Sequence, residues 1–553
     1  MNTIKMKIAF NKKVILLLMS ALLLSPATSF AIKAAAPAAI ISASDDGELG
    51  LYAASNIAIS TGQCKDCKLI PQALWYFKDE TIAVPTSNES GFSATLNAQE
   101  DVAAWAKGKH IEGTMSPLIW LGSSQVIPQA KILNQDTTLV GQQKLAFSVT
   151  PKIATNLSFW DESTDAFFAN HEVRLRGETV ENNSFAARTV WPLDYKLALN
   201  APLKPLDGLN GETLKTLVQF ENGGAKSNYE ARLLQGDGKD ITGKAVIALM
   251  LNGAQGDDDE ALGGHFGLAT GRVGTDGDMS KWLVNNYYNL GSNSEKGIIA
   301  AATPMDKYLM DVNNGQSYYR PSYMLVAALK QDALPNKVQD ATNRVLNHFY
   351  RNDFLYDHSR DNCAGISIDT LRTLGWNIPE RGVTSYLKAI AAYFYIAASE
   401  RSLSKGRAIY DYLTTETTRL FPAVTFDAIG NNMLNQNRQL WVDHNPQTTF
   451  TKQLSNDIEA IYFVRIPQVP SNRKFGSAPV YSFDEYMKTA PADHSQWKMV
   501  PTTPRVLPEN LKDGLALNQE KVSSIPWPVA LLSLSLFWGL IWGFRKLFKF
   551  NRK

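Results

Sequence analysis

Ile525 to Phe544 is a run of 20 residues without a charge. At 1.5 Å of helical rise per residue it matches a hydrocarbon layer of roughly 30 Å. A buried core helix is the alternative reading. It is disfavoured by what comes next, Arg545, Lys546, Lys549, Arg552 and Lys553, a basic cluster that the positive-inside rule keeps in the cytoplasm. Trp527 and Trp542 sit near the two ends of the run, where amphipathic rings prefer the membrane interface. At the other end, Lys5, Lys7, Lys12 and Lys13 precede the apolar stretch Val14 to Leu24 and the small-residue signature Ser29-Phe30-Ala31, the pattern of a secretory signal over residues 1–31. The expectation is a bacterial inner-membrane protein with a single span at 525–544, its body in the periplasm and the basic tail 545–553 in the cytoplasm.

The formal charge of +2 divides into +4 from the signal, +5 from the tail and hence −7 for residues 32–544. No basic footprint for nucleic acid is left. The exported body of about 490 residues is long enough for two or three cores. Residues 32–204 read as a β-rich, sandwich-like domain, with short segments such as Leu74–Phe77, Lys144–Val149 and Glu172–Leu175 separated by Gly, Asn, Ser and Pro. Residues 205–470 read as a mixed domain. Tyr229–Leu234, Ala245–Leu251 and Trp282–Tyr288 have strand character, while Asn336–His348 and Val383–Ala398 have helical periodicity. Residues 471–524 read as a stalk to the membrane. The fold class expected is α+β.

Export favours disulfides over free thiols. Cys64 and Cys67 can close a small local loop, and the surrounding sequence lacks the βαβ pattern of a redox pair; one CxxC supplies only two of four zinc ligands. Cys363 is then alone. It opens an apolar stripe of Ala364, Ile368, Leu371 and Leu374 that ends at Gly375 and Pro379, with Asp361 or Asn362 as the N-cap. A helix start offers unpaired N–H groups that lower a thiol pKa and can hold a developing oxyanion, so Cys363 is the candidate nucleophile.

His265, in the glycine-flanked strand Gly263-Gly264-His265-Phe266-Gly267, is the candidate base. If the following hairpin turns near Thr275–Asp276, the residue opposite is Asn285, Asn286 or Tyr287, and Asn286 is preferred as the third member that orients the imidazole. His358, five residues before the cysteine, is more simply an exposed loop residue. Asp257–Glu260 lacks the ligand spacing of a calcium loop and reads as a solvated acidic turn. No cofactor is implied, since a thiol and an imidazole need none.

Three segments resemble the Lnb N-terminal periplasmic domain family, named for a lipoprotein N-acyltransferase. They are the apolar strand leading to Gly264-His265-Phe266, the tyrosine-rich Gln316-Ser317-Tyr318-Tyr319-Arg320, and Phe354-Leu355-Tyr356-Asp357 leading to Asp361-Asn362-Cys363. The family is related to circularly permuted papain-like thiol enzymes. The resemblance covers Ala245 to Pro379, about a quarter of the chain, and implies a permuted papain-like catalytic domain with Cys363 as nucleophile and His265 as base. The β-rich region and the single C-terminal span depart from the acyltransferase, so its substrate does not carry over.

The function expected is a membrane-anchored cysteine hydrolase or acyltransferase that works through a thioester on a membrane lipid or lipoprotein acyl group. The rival expectations are a peptidoglycan amide hydrolase and a catalytically inactive envelope-binding protein.

Overall fold

The computed structural model describes residues 40–42, 73–77, 80–83, 95–108, 119–121, 123–149, 160–256, 262–289, 298–312, 314–350, 353–436 and 448–490. The expected signal segment, Cys64 and Cys67, the acidic run 257–260, the span 525–544 and the basic tail lie outside these residues. Among the described residues no helix is long and apolar enough to cross a membrane.

The fold is mixed α+β. In chain order the first strands are β1 (Ile41–Ser42), β2 (Ala73–Phe77), β3 (Glu80–Ala83), β4 (Ile119–Leu121), β5 (Gln125–Asn134), β6 (Thr137–Val140), β7 (Gln143–Val149), β8 (Val173–Thr179) and β9 (Phe185–Pro192). They are followed by β10 (Glu230–Gln235), β11 (Ala245–Asn252), β12 (His265–Arg272), β13 (Leu283–Asn289), β14 (Ile298–Pro304), β15 (Ser322–Leu329) and β16 (Ile458–Ile466). Six of them form one sheet in the order β1-β5-β6-β7-β9-β8, and a further pairing of β5 with β8 closes five strands into a ring. The long β5 pairs with β8 through Gln125–Ala130 and with β6 through Lys131–Asn134, and its ladder with β8 slips between Ile127 and Ala130, where Pro128 has no N–H to donate. The region is thus a small closed ring rather than the expected sandwich.

The other ten strands form the main sheet, β10-β16-β15-β11-β12-β13-β14-β4-β3-β2. Its centre explains the unbroken apolar sequence of β11, all eight residues of which are buried. Side chains alternate between two faces. Ile247, Leu249 and Leu251 enter a core shared with the helices Ala333–Tyr350, Cys363–Thr373 and Pro422–Gln436. Val246, Ala248 and Met250 enter a second core shared with the ring. Each fully buried leucine or isoleucine contributes about 1.5–3 kcal/mol.

Buried charges link the ring to the helix Met305–Met310 that follows β14. Arg176 on β8 meets Asp306 at 2.5 Å with both side chains fully buried, and Asp311 receives Arg188 and Lys307, each at 2.7 Å. The two cations hold the Asp311 carboxyl down to about 2 against the opposing effect of burial.

Two expected boundaries do not coincide with the sheets. Strands β2, β3 and β4, from the segment 32–204, lie at one end of the main sheet, so that segment feeds both sheets. The helix Ala98–Lys107, capped by Asn97 in a capping box, also packs on the helical face. There its Asp101 binds Arg344 at 2.7 Å and His348 Nε2 at 3.0 Å. At the other boundary, the expected stalk begins inside the fold. Ser477 bridges to Ala254, Val480 is buried and donates its N–H to Leu262 O at 3.0 Å, and Phe483–Thr489 is a helix capped by Ser482.

Candidate functional site

β12 pairs with β11 along all eight residues but with β13 only through Leu268–Asn285, Ala269–Val284 and Thr270–Leu283. Toward its N-terminus β12 therefore has one neighbour fewer. The Phe266 N–H on that side donates to the sulfur of Cys363 instead of to a strand.

Cys363 is the first residue of the helix Cys363–Thr373. Asn362 is the N-cap: its Oδ1 accepts from Ala364 N–H at 3.0 Å and Gly365 N–H at 2.8 Å, and its Nδ2 reaches His358 O and Leu420 O, each at 3.2 Å. The helix ends as the apolar stripe implies, with Gly375 left-handed at φ +96. The thiol is 4 % exposed and unpaired.

The Cys363 N–H donates at 3.2 Å to the hydroxyl of Tyr356, which also bonds the sulfur. The intervening turn is folded back by the bridge between Asp357 and Asp361. An aromatic group closes round it: Tyr356 stands 6.0 Å from Tyr287 and edge-on to His358 at 5.3 Å.

His265 opens β12, immediately after Gly264 at φ +75. A Cβ at Gly264 would stand 2.4 Å from Asn252 O and 2.8 Å from Pro479 Cβ, so only glycine brings the chain into the strand here. The imidazole is buried, and its Nε2 is hydrogen-bonded to Asn286 Oδ1. With that oxygen as acceptor Nε2 carries the hydrogen and Nδ1 keeps the lone pair.

Asn286 bonds the histidine, but not from the directly opposed strand position that a turn at Thr275–Asp276 implies, because β12 and β13 pair with Leu268 opposite Asn285 and their ladder stops there; Asn285 faces the helix Ala333–Tyr350 and exchanges bonds with Gln339 at 2.9 Å. Tyr287, the other alternative, is packed against Phe349 and Tyr356. His358 is exposed and lies edge-on to Tyr356.

The electrostatics correct one expectation. Burial pushes the Cys363 thiol up, and the Phe266 and Ala364 N–H groups, the Tyr356 hydroxyl and Arg320 only partly offset it. The helix start is present but loses to desolvation. Burial and, secondarily, Arg320 pull the His265 imidazole down to about 3, against the Asn286 bond. At neutral pH both groups are uncharged, and neither ring nitrogen is hydrogen-bonded to the sulfur. A neutral imidazole is the form a general base requires, while the thiol must lose its proton during reaction rather than beforehand.

Two residues near the thiol were not anticipated. Tyr356 sits seven positions before Cys363, and only the folded turn brings it back. Arg320 lies in the segment noted for its tyrosines; it is buried, bonded to Gln316 Oε1 at 2.8 Å and Gly253 O at 3.3 Å, and acts on both Cys363 and His265. Behind the histidine, Asn252 binds Ser322 Oγ at 2.9 Å and the Tyr308 hydroxyl, fixing the strand ends that flank the site. Among the described residues no group of three or more His, Cys, Asp or Glu could hold a metal ion. No family model, no curated protein and no solved structure matches this chain.

Proposed function

We propose that the protein is a membrane-anchored thiol enzyme, with a permuted papain-like catalytic domain, that forms a thioester at Cys363 from a lipid or lipoprotein acyl group on the outer face of the inner membrane. The observation that carries this reading is the placement of an unpaired thiol at a helix start, bonded to the amide of the residue after a histidine that is itself held by an asparagine. In the first step the Cys363 sulfur attacks the acyl carbonyl and its proton passes to His265. The departing alcohol or amine takes that proton as the carbon–oxygen or carbon–nitrogen bond breaks. Water or an acceptor then attacks the thioester, again giving its proton to His265, which returns it to the sulfur. Asn286 orients the ring throughout.

The test is intact-mass analysis after incubation with phospholipid vesicles or a diacylated lipoprotein. A fatty-acyl mass increment that disappears in Cys363→Ala is expected. Peptide release from cell-wall fragments that depends on Cys363, with no acyl increment, would overturn the lipid reading.

A second reading, a catalytically silent envelope module, is favoured by the raised thiol and by an imidazole whose hydrogen bond goes to Asn286 and not to the sulfur. It requires that Cys363 accept no acyl group from any donor.

A further inference from the structure

The helix Tyr386–Ser399 faces the wrong way for a soluble protein. Of its fourteen residues only Ala389 and Tyr393 are buried, and its one charge, Lys388, is tied to Asp484 at 2.7 Å. Leu387 is 82 % exposed, Tyr395 72 % and Tyr386 60 %, and Ala391 and Ala398 are exposed with them. Positions 387, 391, 395 and 398 recur at spacings of four, four and three, so they share one face. Leu403, which begins the next helix, and Met487, on the helix Phe483–Thr489, are exposed as well. An apolar face of this kind is normally turned inward.

We infer that this face rests on the lipid bilayer, so that the helix Tyr386–Ser399 lies in the membrane interface. This inference rests on the proposed function for its link to the thiol, and three observations carry it. The helix Phe483–Thr489 lies against this surface through Lys388 and Asp484, and the uncharged run Ile525–Phe544 follows it after the 35 residues 490–524. The face has no acidic residue between 386 and 399, and its two exposed tyrosines suit the headgroup level. The next helix, Leu403–Thr414, which starts on this surface at Leu403, is tied near its far end to the loop before the nucleophile. Arg360 pairs with Asp411, and Thr415 Oγ1 donates to Ser359 O at 2.8 Å. That loop exposes Leu355 beside Tyr356, the residue bonded to Cys363. A bilayer bound here delivers an acyl chain to the side of the molecule from which the Cys363 loop is reached.

The full chain, with Cys64→Ser and Cys67→Ser, is placed in nanodiscs of phosphatidylethanolamine and phosphatidylglycerol. A nitrobenzoxadiazole reporter is attached at Leu387→Cys or, as control, at Gln143→Cys, an exposed position on the ring. Nitroxide-labelled lipid is expected to quench the Leu387 reporter at least threefold more than the control, and aqueous iodide to quench it less. Equal quenching at the two positions overturns the inference. So does shielding of the Leu387 reporter from both quenchers, which would mark a protein partner or a second copy. Leu387→Glu with Tyr395→Glu is expected to lower acyl capture from vesicles at least tenfold while leaving capture from a short, water-soluble thioester unchanged; an equal loss with both donors also overturns it. If no donor acylates Cys363, the chemical reading fails while lipid quenching still decides the membrane contact.

Discussion

Burial of a neutral imidazole makes stability depend on pH in a way that one substitution removes. The unfolded His265 titrates near 6.5 and the folded one at about 3. Between those values the unfolded chain binds a proton that the folded chain refuses, so the stabilisation is whole above pH 6.5 and is lost as pH falls. The slope approaches about 1.4 kcal/mol per pH unit, and the loss reaches about 2 kcal/mol by pH 5. His265→Gln keeps a donor for Asn286 and has nothing to titrate, so its constant offset is separable from the slope. Denaturant unfolding in detergent, followed by tryptophan fluorescence from pH 7.5 to 4.5, measures both proteins. Carboxylates such as Asp311 titrate in both and cancel in the difference. The difference curve should change by about 2 kcal/mol between pH 7.5 and 5. Parallel curves would refute the reasoning, because they would mean that the imidazole is hydrated or charged in the folded protein.

Gly264→Ala should cost about 1–3 kcal/mol from the left-handed backbone alone, and because its Cβ would stand 2.4 Å from Asn252 O, acyl-enzyme formation should fall on the order of a hundredfold as His265 shifts; thermal unfolding and intact-mass time courses read the two effects. Asp306→Ala removes the buried carboxylate that Arg176 meets at 2.5 Å and should destabilise the fold by about 3–5 kcal/mol, seen in denaturant midpoints. Alkylation of Cys363 by iodoacetamide should be slow at pH 7 and rise through a midpoint above 9, since burial holds the thiol up. Tyr356→Phe removes a hydrogen bond to the sulfur, so alkylation at pH 8 should slow roughly three- to tenfold.

What the sequence made legible is local. The helix at Cys363, a cap at Asp361 or Asn362 and its glycine stop follow from short-range rules, and so does the strand at His265; a turn at Thr275–Asp276 does not give the observed register, in which Leu268 lies opposite Asn285. The charge state of the thiol was not legible, because the helix start is written in neighbouring residues while its burial comes from a core assembled from distant segments, among them those of Phe266, Tyr287 and Tyr356. Tyr356 and Arg320 were hidden for the same reason. The division of residues 32–204 between two sheets was hidden too, since a strand's alternation shows that it has a buried face and not which sheet receives it.

The place of β16 bears on how the chain can be made. This strand, from residues 458–466, lies between β10 at 230–235 and β15 at 322–329, with antiparallel partners on both sides. Until residue 466 is available, β10 at 230–235 and β15 at 322–329 present open edges that no nearby segment of the chain can fill. A chain cut short before Ile458 would keep Cys363, His265 and Asn286 yet hold two bare strand edges, the kind of surface that recruits other chains. Completion of the sheet is therefore a late event in synthesis. A truncated product should be cleared or aggregate, even though every residue assigned to the chemistry has already been made.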